Sequence, residues 1–125
     1  MNFLIIDSAL DKINFFCLFN NNSYNKSFEG SKSNNEKFSI LLFDFLNEYN
    51  IILSELEGIF INQGPGKFSL IRTSIATVKA LSFTNKLDLY GFNLDDLKDK
   101  DYMNIIDLYK KKKLTKNLIK AVYSS

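Results

Sequence analysis

At 125 residues, 46% of them apolar with 12 Phe and 6 Tyr, the chain is sized for one small domain around a single core and is too apolar for a disordered one. Sixteen basic and 14 acidic side chains leave a net charge of +2. The lack of histidine removes zinc sites of the usual kind and leaves Cys17, the one cysteine, neither a disulfide partner nor an activating base. No apolar run approaches the length of a membrane span, and no basic N-terminus leads into an apolar stretch, so a cytoplasmic protein without membrane contact is expected.

Phe3-Leu4-Ile5-Ile6 is a continuous apolar run, the pattern of a central strand buried on both faces. Ile13, Phe15, Cys17 and Phe19 alternate with Asn14, Phe16, Leu18 and Asn20 in a second strand, where Cys17 reads as a small core residue. A turn at Asn20–Ser23 leads to a third strand over Tyr24–Phe28, and a polar loop follows from Gly30 to Asn35. Phe38, Leu41, Leu42, Phe45, Leu46 and Tyr49 then recur at i, i+3, i+4, i+7, i+8 and i+11, an amphipathic helix. Gly58–Ile61 is a short buried strand, Phe68–Phe83 a second helix, and Leu87–Phe92 a last strand.

Between the fourth strand and the second helix stands Asn62-Gln63-Gly64-Pro65-Gly66-Lys67-Phe68, with the chain's one proline. Gly64, Pro65 and Gly66 suit a sharp reversal, since glycine permits positive φ and proline cannot extend a strand. The helix N-terminus beyond it could take an anion, although a tight turn alone needs the same residues. A Walker loop is excluded: Ile61 stands where its first glycine belongs and Phe68 where Ser or Thr must follow the lysine.

This segment resembles the Gly-Pro-Gly-Ser-Phe-Thr-Gly-Leu-Arg signature of the TsaB (YeaZ) family. Gly64, Pro65, Gly66, Phe68, Arg72, Ala76, Thr77, Lys79 and Leu81 match in register. Leu4-Ile5-Ile6-Asp7-Ser8 resembles the family's opening strand, and Asn34 to Leu56 runs without a gap against its first helix, so the likeness covers roughly Met1 to Leu97. The resemblance implies a noncatalytic partner of a TsaD-like enzyme in threonylcarbamoyl-adenosine modification of tRNA, with a TsaE-like ATPase as a further partner. It also implies homodimers when the chain is alone, contact with tRNA only through the enzyme, and no cofactor. The element order β-β-β-α-β-α-β fits the fold it implies: a single α/β ribonuclease-H-like lobe of the actin/Hsp70 type over residues 1–97. Leu70, Ser74 and Ala80 replace family glycines, and Lys67 a serine.

The second helix carries only Arg72 and Lys79 as charges, so it needs cover beyond its own sheet. The expected interface comprises Phe38, Leu41, Leu42, Phe45, Phe68, Ser69, Ile71, Arg72, Thr73, Ala76, Lys79 and Ala80, with Arg72 as polar anchor. Packing of the two helices on each other is the plainer alternative. Asp7 ends the first strand where ribonuclease-H nucleases and actin-like ATPases keep a metal-associated carboxylate. A nuclease using Asp7 and Glu36 is therefore the alternative function, weakened by the neutral Asn62 and Gln63; a self-associating remnant is the third. ATP binding is not expected, because Ser8-Ala9-Leu10-Asp11 has no glycine.

Residues 98–125 form an expected C-terminal extension, too short for a second lobe. Residues 1–109 hold 10 basic and 14 acidic side chains, whereas residues 110–125 hold six lysines and no acid. Fifteen lysines against one arginine fit an AT-rich genome, which weakens arguments from lysine clusters. Leu114, Leu118, Ile119 and Val122 have the spacing of a short helical face, with the lysines as its solvated side and RNA binding weak and nonspecific. The rival view is that these lysines steer tRNA.

Overall fold

The computed structural model describes residues 1–9, 11–97 and 101–123, and only the backbone of Phe68. β1 (Phe3–Asp7), β2 (Lys12–Phe19) and β3 (Asn22–Glu29) form an antiparallel meander. β4 (Gly58–Asn62) pairs parallel with β1, β5 (Leu89–Phe92) parallel with β4, and β6 (Thr115–Lys116) antiparallel with β5. The sheet order is β3-β2-β1-β4-β5-β6. Asn20 and Asn21 close the β2–β3 hairpin at φ 49° and 66°, a conformation asparagine tolerates better than most residues.

α1 (Lys32–Glu36) and α2 (Phe38–Glu48) precede β4, α3 (Phe68–Asn85) joins β4 to β5, and α4 (Met103–Lys110) joins β5 to β6. The loop expected over Gly30–Asn35 thus contains most of a short helix. Ser31 caps it, its Oγ accepting the Asn34 N–H at 3.1 Å. The strand expected from Leu87 begins at Leu89.

Strand alternation sorts the core into two layers. Leu4, Ile6, Phe15, Cys17, Ile59 and Ile61 pack with Phe38, Leu42 and Phe45 of α2 and Ile71, Ile75 and Val78 of α3. Phe3, Ile5, Phe60 and Phe92 pack on the other face against Ile105 and Ile106 of α4. Burial pushes the Cys17 thiol up to about 12, consistent with an inert core residue.

The tail departs from its expected form. Leu114, Leu118, Ile119 and Val122 do not form a helical face: the chain runs extended through β6, and Leu118 is 78% exposed. Ile119 is buried, in the layer under α2 and α3. The helix of the extension lies earlier, at α4, and both α4 and β6 pack onto the sheet of the first 97 residues.

Candidate docking surface and the signature turn

The glycines of the turn are explained by what crosses them. Gly64 has φ +114°, and a Cβ there would lie 2.2 Å from the carbonyl oxygen of Val122. At Gly66 a Cβ would meet Ile71 Cγ1 at 2.7 Å and Ala9 Cα at 3.0 Å. The tail runs over the turn: Gly66 N–H donates to Val122 O at 3.2 Å, and Val122 N–H to Gln63 O at 2.8 Å. Gln63 Nε2 donates to Lys120 O at 3.0 Å, and Leu94 N–H reaches Gly64 O at 3.0 Å. Both glycines are buried, so the close approach they permit is that of the protein's own backbone. At the start of α3, Lys67 is the N-cap residue and its ammonium pairs with Asp11 at 2.7 Å. A carboxylate of this chain therefore stands near the helix end where an anion would be favoured.

Asp7 is held by protein groups on both oxygens. Asn62 Nδ2 donates to Oδ1 at 2.9 Å and the Tyr102 hydroxyl to Oδ2 at 2.7 Å. Asn62 Oδ1 in turn accepts the Gly64 N–H at 2.9 Å, and Asn14 Nδ2 donates to the Tyr102 oxygen at 2.5 Å. Burial first, then the Asp7 carboxylate, push the Tyr102 hydroxyl up, so it stays a donor. Glu36, the other carboxylate of the nuclease alternative, lines a separate cleft of about 580 Å³ with Asp11, Lys67 and Thr73, and Asp7 is not among its walls. Among the described residues no three His, Cys, Asp or Glu side chains gather as a metal site. The nuclease alternative is not favoured. Tyr102 was invisible to sequence reasoning, because nothing local links it to a carboxylate 95 positions away.

The expected interface residues divide by burial. Ser69, Arg72, Ala76, Lys79 and Ala80 are exposed along one side of α3, and Thr73 is half-buried beside them. Ser69, Arg72, Thr73 and Ala76 line a shallow hollow of about 330 Å³. The Thr73 and Thr77 hydroxyls donate back to Ser69 O and Thr73 O, each at 2.8 Å, which leaves their outward surface largely apolar. Phe38, Leu42, Phe45 and Ile71 are a correction: all four are buried against the sheet and have no surface for a partner. Leu41 is half-buried, and the Phe68 side chain lies outside the described residues. Among the described residues, the large apolar side chains exposed on these helices are Ile40 at 59%, Phe43 at 44% and Phe83 at 88% exposure. Ile40 and Phe43 lie outside the main apolar stripe of α2, and that position marks them in the sequence as part of such a cover. α2 and α3 also touch each other, as the plainer alternative expected, but that contact leaves this surface uncovered.

No family model matches the chain, and neither does any curated protein. Solved structures do. YeaZ from Pseudomonas aeruginosa superposes with a TM-score of 0.68 at 19% identity, over 89% of this chain and 49% of that one. An uncharacterized protein with similarity to peptidase YEAZ from Pseudomonas aeruginosa gives 0.71 at 20% identity, over 82% and 48%. RuvC of T. thermophilus, solved with a Holliday junction substrate, gives 0.52 at 10% identity, over 79% and 68%. The chain spans about half the length of the YeaZ-like structures it matches. The resemblance read from the signature turn and the likeness in three dimensions thus lead to the same proteins, and the chain has the ribonuclease-H-like fold of a YeaZ lobe.

Proposed function

We propose that the protein is a TsaB-like scaffold, not itself catalytic, that docks on a TsaD-like enzyme acting in threonylcarbamoyl-adenosine modification of tRNA. The observation that carries this reading is the outward side of α3. An 18-residue helix exposes Ser69, Arg72, Ala76 and Ala80 along one side, within the segment that matches the TsaB signature in register, and Phe83 just past it. Small residues let another helix approach closely, and an arginine with an exposed ring about three turns further along the same face has the composition of a binding hot spot. Ile40 and Phe43 of α2 add apolar surface. In the absence of the enzyme, the same surface pairs two copies of the chain.

Sedimentation at micromolar concentration tests both parts. The chain alone should sediment as a dimer, and a co-expressed TsaD-like protein should replace one copy to give a heterodimer. Ala76→Glu or Ala80→Glu should weaken both assemblies while native circular dichroism is kept, because an unpaired charge in a packed contact is costly. A monomer that ignores the enzyme, with both variants behaving as the parent, would refute the scaffold reading.

A further inference from the structure

On the sheet face opposite α2 and α3, a cleft of about 560 Å³ is lined by Tyr90, Tyr109, Lys110, Lys112, Leu114 and Lys116. Its walls come from β5, from the end of α4 and from the tail at β6. The Tyr90 and Tyr109 rings meet edge to face with centroids 5.0 Å apart, each half-buried. Burial first, then Tyr109, push the Tyr90 hydroxyl up to about 12.

The lysines differ in their partners. Lys111 pairs with Asp107 at 3.0 Å and Lys116 with Asp88 at 3.3 Å, both pairs exposed. Among the described residues no ion pair neutralises Lys110 or Lys112. Lys112 is held at φ 58°, where its N–H donates to Tyr109 O at 3.0 Å, and the Lys113 N–H donates to Leu108 O at 3.0 Å. That is the closing turn of a helix, usually given to glycine or asparagine. The negative end of the helix dipole gives a cation at Lys110–Lys113 a plain rationale. Lys116, paired with Asp88, and Tyr90, packed on Phe60, reach the same cleft from two strands, a convergence the helix dipole does not require.

We propose that this cleft binds single-stranded RNA, with Lys110, Lys112 and Lys116 on successive phosphates and the Tyr90–Tyr109 pair against a base. Positive charge tracking a backbone beside aromatic rings is how single strands are held without sequence preference. The choice of RNA over DNA rests on the proposed role; the rest comes from the cleft. The site lies on the other side of the sheet from the α3 surface, so one chain holds enzyme and RNA together, and the tRNA contact is direct.

Fluorescence anisotropy of the full chain with a labelled oligouridine of about twelve nucleotides tests this. Three phosphate contacts predict a log–log salt slope of about −2 between about 50 and 200 mM salt. Replacing Lys110, Lys112 and Lys116 together by glutamine should weaken binding roughly tenfold and flatten that slope. Replacing Lys12, Lys32 and Lys37, which removes the same charge elsewhere, should change binding little. A duplex RNA of equal charge should bind more weakly than the single strand. Equal losses from both lysine sets, or duplex binding as tight as the single strand, would overturn the inference. Ala76→Glu should leave RNA binding intact, so failure of the docking surface and failure of the cleft are distinguishable.

Discussion

On the α2–α3 face the sheet is covered by two helices, and the buried side chains of that layer are mainly aliphatic, with Phe15, Phe19, Phe38 and Phe45 among them. The α4 face is covered by one eight-residue helix, and there the work falls to rings. Phe60 touches Phe3, Tyr90 and Tyr109 with centroids 5.3 Å away in each case, and Phe16 lies 5.3 Å from Tyr102. Aromatic side chains bury more area per residue than aliphatic ones, so a short helix can close a face if the strands beneath it supply rings. The α4 face is also fastened by a directed bond, Tyr102 to Asp7, which an aliphatic layer cannot provide. Size of cover and kind of cover trade against each other.

The sharpest way to break this comparison is to remove one cover. A chain ended at Leu97 would bare Phe3, Ile5, Phe60 and Phe92, all fully buried at present. We expect it to lose native circular dichroism or bind a hydrophobic dye strongly; a cooperative, dye-free melt would show that α2 and α3 hold the sheet alone. Next in size is Ile119→Ala, expected to cost about 2–4 kcal/mol in urea unfolding because the side chain fills the α2–α3 layer. Leu118→Ala, beside it and exposed, should stay within about 0.5 kcal/mol of the parent.

The two faces should also differ under alkali. Buried Cys17 stays protonated in the fold to about pH 12, whereas in the unfolded chain it ionises near the ordinary thiol value of 9.0. The unfolded state loses its proton first, so stability falls as pH rises above about 9, by up to about 1.4 kcal/mol per unit. Cys17→Ala should remove that slope in unfolding curves taken at about pH 8.5 and pH 10. On the α4 face, Tyr102→Phe should cost about 1 kcal/mol at neutral pH by leaving Asp7 short of a donor. It should also lessen the alkaline loss that begins near pH 10, since the Tyr102 hydroxyl is raised in the fold. An unchanged neutral stability would show that Asp7 needs no donor from α4. The smallest effect expected is a gain: Lys86 closes α3 at φ 54°, and Lys86→Gly should stabilise by about 0.5–1 kcal/mol in thermal melts.

The α2–α3 face was the more legible of the two. Continuous apolar runs marked β1 and β4, and helical spacing marked α2 and α3, because each pattern is local. The same spacing misled at the interface. It groups Phe38, Leu42 and Phe45 on one stripe but cannot say whether that stripe faces the sheet or a partner, and the structure turns it inward. The tail misled for a different reason. Leu114, Leu118, Ile119 and Val122 have helical intervals, yet Asn117 sits at φ 62° and pairs with Leu89, its N–H donating to Leu89 O at 2.6 Å and its Oδ1 accepting Leu89 N–H at 2.9 Å. A distant strand supplied the bonds a helix would have made internally, and no pattern within the tail encodes that.

The crossing of Val122 over Gly64 has a consequence for the order in which the molecule can assemble. The signature turn is short in sequence but its closure is not, because Gln63 and Gly66 find their partners at Lys120 and Val122, nearly sixty positions later. The meander of β1, β2 and β3 can form from neighbours, whereas the turn waits for the far end of the chain to arrive. Such nonlocal closure carries a loop-entropy cost that the turn's own residues cannot offset. A single cut between Lys113 and Leu114 would spare every residue of the signature and still unseat it.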